Sequence, residues 1–453
     1  MTTRRSFLTT AAATGCAIGL PWRFLEPALI AKEKAENSLG TVRVTKIDVH
    51  KIEVPYEDWI HYDLNHFYGP SKRTIYEVHT NKKGLVGLGE GHGPESQGVM
   101  NQYIGSNPFD WIGDETSLGL GTAMYDLMGK AAGVPVYKLF GRRHRRWVPV
   151  GSWTVSTHPD RMALAVKKYA KRGYTWLKYH LSPFENVFDQ LKAMEKVAPK
   201  GFRVQFDLTG LGTTDHVPEL CENIGKFRIS GCFEDPLPSN DLPGYIELRK
   251  RIRLPVILHH NILGATKEVG LNAADGYILG HAKIGVSMRK AGLFAGSNMR
   301  FMLQNVGGHI TRTMTTHMQA AFKTASLHFH CDAETWKADV VNEKPEPTNG
   351  FLRVPEKPGL GVTLNRKELE RLKALRLPEK KKWIIRTLFA NGTKMFNIAN
   401  PKDSIFMVRP DHRRLIPFRY DLPVKTTWWD DDGTDKYKKM FKRIEKEGIV
   451  LEK

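Results

Sequence analysis

From Val148 onward, short β-rich runs alternate with helical stretches at a nearly constant interval, a rhythm few architectures tolerate. The candidate strands are Val148–Val155, Trp176–His180, Arg203–Asp207, Gly231–Glu234, Val256–His260, Tyr277–Gly280, Phe301–Asn305 and Ser326–Phe329. Their starts fall about one strand plus one crossover helix apart. The first two gaps carry helical material, with Met162, Leu164, Val166 and Tyr169 in one and Val187, Leu191 and Met194 in the next. Strands joined through helices run parallel, and eight such units close most economically as a barrel. The expected class is therefore α/β, a (β/α)7β TIM-like barrel over residues 148–345, with a doubly wound sheet as the alternative.

The flanks read differently. Val42–Val54 is extended, and Thr74–Thr80 followed by Gly84 to Glu90 predicts a hairpin. Leu120, Met124, Leu127 and Met128 give helical spacing over Leu118–Ala132, which Gly133 and Pro135 terminate. Residues 39–147 thus form an α+β capping domain, and residues 346–376 form a segment that returns to it. Beyond lies an extension, 377–453, holding Lys380 to Lys382, an apolar part at Ile405–Val408, Trp428-Trp429 and a basic helix over Lys436–Glu447. Alternating charges make that helix a solvated face rather than a polyanion-binding one.

Composition closes several routes. A net charge of +20 draws anionic partners without choosing among them. No recognised nucleic-acid module accompanies the basic residues, so no nucleic-acid partner is expected. The 4 cysteines include no C-x-x-C pair, which argues against a disulfide framework and a thiolate zinc site. At the amino terminus, Arg4-Arg5 precede a short apolar run, Thr9 to Leu20, broken by Pro21. This resembles a twin-arginine (Tat) export signal, so residues 1–38 are expected to be signal and linker and the protein to be periplasmic. The run is shorter than the roughly 20 apolar residues that span a bilayer, and no later segment supplies a transmembrane helix.

In a parallel barrel the strand carboxyl ends converge on one rim. Those ends carry Lys178 and His180, Asp207, Glu234, His260, Gly280 and Asn305. Two carboxylates and an imidazole on three adjacent strands suit one divalent cation. Strand alternation puts Lys178 and His180 on the same inward face and turns Tyr179 away.

Over about Val42 to Leu375 the chain resembles the enolase superfamily, in its mandelate racemase and muconate lactonizing enzyme branch. The resemblance rests on Gly84 to Glu90, on Asp126 to Gly141, on Phe233-Glu234-Asp235-Pro236-Leu237 and on Pro358-Gly359-Leu360-Gly361. It implies abstraction of the proton next to a substrate carboxylate, with Mg²⁺ stabilising the enediolate. It also implies a small anionic carboxylate substrate and a homo-oligomer. By resemblance Lys178-Tyr179-His180 stands at the family's Lys-x-Lys motif, with His180 as base and Lys178 on the substrate carboxylate; Asp207 and Glu234 match the first two metal ligands. His259, Lys283 and Asn305 are expected to contact substrate, and Trp59, His61, Tyr62 and His66 to cover it.

Three departures matter. His260 stands where a third acid is usual, which tilts the site toward a transition metal. Gly280 replaces the acid–base residue of the sixth strand and Asn305 the histidine of the seventh. A racemase needs proton acceptors on both sides of the carbon, whereas a dehydratase can work from one. The expected activity is therefore a carbon–oxygen lyase, a sugar-acid (aldonate or uronate) dehydratase. An exported, non-catalytic relative that binds an anionic sugar or wall component is the alternative.

Overall fold

A computed structural model describes residues 39–182, 184–210, 214–259, 266–379, 381–399, 420–421 and 423–453. The chain divides into two compact units, Met1–Val42 and Arg43–Lys453. Of the first only residues 39–42 are described, so the expected amino-terminal signal lies outside the described residues, as do Ile405–Val408 and His260. The cap, the barrel and the carboxy-terminal sheet all belong to the second unit.

The cap is an antiparallel sheet in the order β1-β2-β3, with β1 Val44–Val54, β2 Ser71–Thr80 and β3 Val86–Gly91. Helix Asp58–Tyr68 connects β1 to β2, where the sequence suggested covering loop residues. Helix Leu118–Ala131 starts at Ser117, whose hydroxyl accepts from Leu120 N–H at 3.1 Å. It lies backbone-to-backbone on β3. A Cβ at Gly89 would stand 2.1 Å from the Gly119 carbonyl oxygen, so glycine here serves close approach rather than a turn.

The expected barrel is present. Seven parallel strands run in the order β11-β10-β9-β8-β7-β6-β5. They are β5 Ser152–Thr154, β6 Trp176–His180, β7 Arg203–Asp207, β8 Ser230–Glu234, β9 Val256–Leu258, β10 Gly276–Gly280 and β11 Phe301–Gln304. The eighth position is reduced to two parallel bridges, Val150 with Phe329 and Gln304 with His330, which join both edges of the sheet. Trp176 stacks on His328 at 3.8 Å across this seam.

The first expected strand is split. Its start forms β4, Trp147–Pro149, which pairs antiparallel with β12, Phe351–Arg353, while its end enters the barrel as β5. Pro149 cannot donate to a ladder, and the chain then squeezes past His330, whose Cε1 would lie 2.5 Å from any Cβ at Gly151. Helix Arg366–Ala374 packs on β1. A four-stranded antiparallel sheet ends the chain in the order β15-β13-β14-β16, with β13 Trp383–Phe389, β14 Lys394–Ala399, β15 Val424–Trp429 and β16 Val450–Glu452. Helix Asp435–Glu447 lays Tyr437 and Ile444 against Ile384, Phe396 and Val450, with Met440 and Phe441 packed on the edge of that small core. Among the described residues no helix is long and apolar enough to cross a membrane.

Candidate active site

Register builds the site. The ladder sets His180 opposite Asp207 and Asp207 opposite Glu234, so one side chain from each of β6, β7 and β8 reaches the same rim. Lys178, two residues before His180, points inward one layer below. Its ammonium lies 3.0 Å from Asp207 Oδ2, 2.8 Å from Glu234 Oε2 and 2.9 Å from Gln304 Oε1. An ammonium has three N–H donors, and here three different side chains accept them.

The two carboxylates are fixed by further donors. Asp207 accepts from the Thr209 backbone N–H at 2.8 Å and pairs with His180 Nε2 at 3.1 Å. Glu234 accepts from Gln205 Nε2 at 2.5 Å and pairs with His259 Nδ1 at 2.9 Å. Gln205 Oε1 in turn faces His328 Nε2 at 2.7 Å. Thr209 and Asp235, just past the two strand ends, have φ of 54° and 41°. These left-handed conformations place the Thr209 amide on Asp207 and let Asp235 Oδ1 accept from His259 N–H at 2.8 Å.

Electrostatics follow from burial and pairing. Burial alone would push the Asp207 carboxyl up; Lys178 and then His180 outweigh it and hold the group well below the usual carboxylate range. Burial would likewise lower Lys178, and the charges of Glu234 and Asp207 raise it instead. At Asp235 burial, with the neighbouring Glu234 and Asp207 charges, outweighs His259 and pushes the carboxyl up to about 7.

These groups open on a cavity of about 790 Å³. The barrel contributes Lys178, His180, His259, Gln304 and Asp332 to its wall, and the cap contributes Tyr56, Tyr68, Arg73 and His92. Arg73 is buried, its Nε on Glu90 at 2.9 Å and its second terminal nitrogen on the Val306 carbonyl at 2.9 Å. Glu90 also accepts from Gly308 N–H and the Thr311 hydroxyl of the barrel, at 2.7 and 2.8 Å. The carboxylate that ends the cap's glycine-rich hairpin thus ties cap to barrel. Burial pushes Asp332, at the end of the eighth position, up to about 7.

The residues expected from sequence do not all meet. Lys178, His180, Asp207, Glu234 and His259 converge. Asn305 does not: β11 ends one residue earlier than expected, and Asn305 turns into the wall to donate to Thr315 Oγ1 at 3.1 Å, leaving Gln304 on the cavity. Lys283 is exposed at the start of helix Ile284–Gly296 and does not line the cavity. Trp59, His61, Tyr62 and His66 lie on helix Asp58–Tyr68, and none of them lines the cavity; the residues flanking that helix do. At Gly280 a Cβ would meet His259 Nε2 at 1.9 Å, so the imidazole fills the space a sixth-strand side chain would need. Gln205, Gln304 and Asp332 were not expected from sequence. Alternation gave a signal for Gln205, two residues before Asp207 on the same face.

The magnesium ion implied by the resemblance was tested against this donor set. Asp207 and Glu234 are the two carboxylates it would need, yet the Lys178 ammonium lies between them and protein donors already occupy their oxygens. Among the described residues no group of three His, Cys, Asp or Glu side chains is placed to hold a metal. The described residues therefore do not fit a divalent ion as they stand.

Comparison with known proteins places this architecture. Residues 161–368 match the family described as Enolase C-terminal domain-like. The arabinonate dehydratase of Saccharolobus solfataricus is 22% identical over 257 residues, covering 54% of this chain and 69% of that one. The N-succinyl-L-Arg/Lys racemase of Bacillus cereus is 22% identical over 375 residues, covering 73% and 98%. Among solved structures, the dipeptide epimerase from Cytophaga hutchinsonii, complexed with Mg and a dipeptide, superposes with a TM-score of 0.62 at 18% identity, covering 73% of this chain and 98% of that one. The matched segment runs from the first barrel helix to the helix that returns to the cap, and the match supports the enolase superfamily for this part of the chain.

Proposed function

We propose that this protein removes the proton next to a substrate carboxylate and acts as a dehydratase on a small hydroxylated acid of the aldonate or uronate class, after export to the periplasm. The observation that carries the reading is the pairing at 3.1 Å of His180, on the cavity wall, with the buried carboxylate of Asp207. A buried carboxylate that accepts from Nε2–H fixes the imidazole in one tautomer, with Nδ1 as proton acceptor, and stabilises the imidazolium that forms. Lys178 balances the two carboxylates beside it, so an anionic substrate meets less repulsion there. The α-proton passes to His180, the β-hydroxyl leaves as water with a proton returned from that imidazolium, and the resulting enol rearranges to a 2-keto-3-deoxy acid.

The one-sided site favours dehydration over racemisation. Gly280 offers no second base, and His259, which fills its space, is held on Glu234. An arabinonate dehydratase among the relatives supports the same class. A second reading, an exported non-catalytic relative that binds an anionic sugar, draws on two observations: Lys178 is engaged by three acceptors, and His180 Nδ1 is shielded from solvent. The test is incubation of the purified protein with a panel of aldonates and uronates, reading 2-keto-3-deoxy product, alongside calorimetric binding. The dehydratase reading expects product from at least one acid, and His180→Ala to abolish turnover with binding retained. Saturable binding with no product from any acid would establish the second reading instead.

A further inference from the structure

Among the described residues, the carboxy-terminal extension meets both the cap helix and the barrel beside the cavity. On the cap side, Trp428 of β15 packs on helix Asp58–Tyr68, stacking on Tyr62 at 5.5 Å and lying 5.0 Å from the His66 ring and 5.8 Å from Phe67. Trp383 of β13 meets His66 edge-on at 4.9 Å. Asp430, just past β15, accepts from Tyr62 Oη–H at 3.0 Å and from His66 Nε2–H at 2.7 Å. On the barrel side, the Tyr420 carbonyl accepts from Val187 N–H at 3.0 Å and its hydroxyl reaches the Leu208 carbonyl at 3.4 Å. Leu208 immediately precedes Thr209 and Gly210, which line the cavity, just as Tyr56 and Tyr68 line it at the two ends of the cap helix.

The geometry at His66 is specific. Its Nδ1 lies 2.7 Å from the Tyr62 carbonyl and its Nε2 2.7 Å from Asp430, so both ring nitrogens face acceptors. Only the imidazolium donates from both. The other charged groups that face it are Asp63, on the same helix, and Arg161, which pairs with Asp63 at 2.6 Å and lies over the Tyr62 ring at 5.7 Å. Its hydrogen bond holds the Asp430 carboxyl below the usual carboxylate range.

We propose that Trp428 and Asp430 are positioning residues of the substrate cavity: through His66 and Tyr62 they fix the cap helix whose ends carry Tyr56 and Tyr68 into the cavity wall. The extension is thereby part of the site rather than an appendage. The ligand class rests on the function proposed above; the hold on the cap helix does not.

Hydrogen–deuterium exchange on the full chain tests this without any ligand. Protection factors, corrected for intrinsic exchange, are read for residues 56–73 at a single pH. Asp430→Asn should lower them by roughly tenfold, the scale of one charge-assisted hydrogen bond, and Trp428→Ala should lower them as well, with Trp428→Phe restoring most of the loss. Helix Val187–Val197 serves as control for global unfolding. Unchanged protection in Asp430→Asn, or loosening confined to residues before Phe67 that spares the cavity-lining segment Tyr68 to Arg73, would overturn the proposal. Because no substrate enters, a failed sugar-acid panel and a failed exchange result stay distinguishable.

Discussion

Lys178→Met removes one charge and little volume, and its consequence can be worked from the site. Asp207 and Glu234 are 2% and 0% exposed and lose the ammonium that neutralises them jointly. Breaking a buried pair by deleting one partner costs about 3–5 kcal/mol. The variant has a second signature. In the parent Asp207 is held low, so its contribution is complete above the unfolded carboxylate value and is lost only as the pH falls through the folded one. Lys178 is held high, so its contribution is complete below the unfolded lysine value and is lost only in strong alkali. Asp207 and Lys178 therefore add almost no slope between pH 5 and pH 7. Without the ammonium, one of two adjacent buried carboxyls takes a proton in the folded state and none in the unfolded state. Stability of the variant then falls with rising pH by about 1.4 kcal/mol per unit. Urea unfolding of parent and variant at pH 5, 6 and 7 reads this directly, as a gap between midpoints that widens with pH. A gap of constant size, or none at pH 7, would refute the charge balance drawn here.

Two further outcomes follow from the same geometry. Calorimetry with Mg²⁺ or Mn²⁺ should show binding to Lys178→Met and none to the parent at the same concentrations; equal binding to both would mean that the ammonium does not take the cation's place. Gly280→Ala puts a Cβ where His259 Nε2 lies, 1.9 Å away, so the ring must leave Glu234; a loss of about 1–3 kcal/mol in thermal or urea stability is expected, and an unperturbed variant would show that His259 repacks freely.

Much of the barrel was legible because its signals are local. Strands β6 and β7 end where the apolar alternation ends, and His180 and Asp207 are their last residues. Convergence of Lys178, His180, Asp207 and Glu234 needed only strand alternation and parallel pairing. Where sequence reasoning failed, one residue or one long-range contact decided. Asn305 was one residue too far, because β11 stops at Gln304 and the next side chain belongs to the helix behind it. Tyr62 and His66 were expected to cover the substrate. They are instead the face on which Trp428 and Asp430 rest, a contact across more than 350 positions that no local pattern announces. The placement of Lys178 between the carboxylates was equally invisible, since sequence spacing reports neighbours and not which side chain fills the gap among them.

The barrel seam carries a consequence of its own. Gln304, the third acceptor of Lys178, is also the residue bridged to His330, and it lies on the last strand while Lys178 lies near the first. A ring left open at this point would strand the lysine with two partners instead of three and draw Gln205, through His328, away from Glu234. Shutting the cylinder and settling its interior charges are thus one event. The polar centre doubles as the latch that tells a finished barrel from an unfinished one.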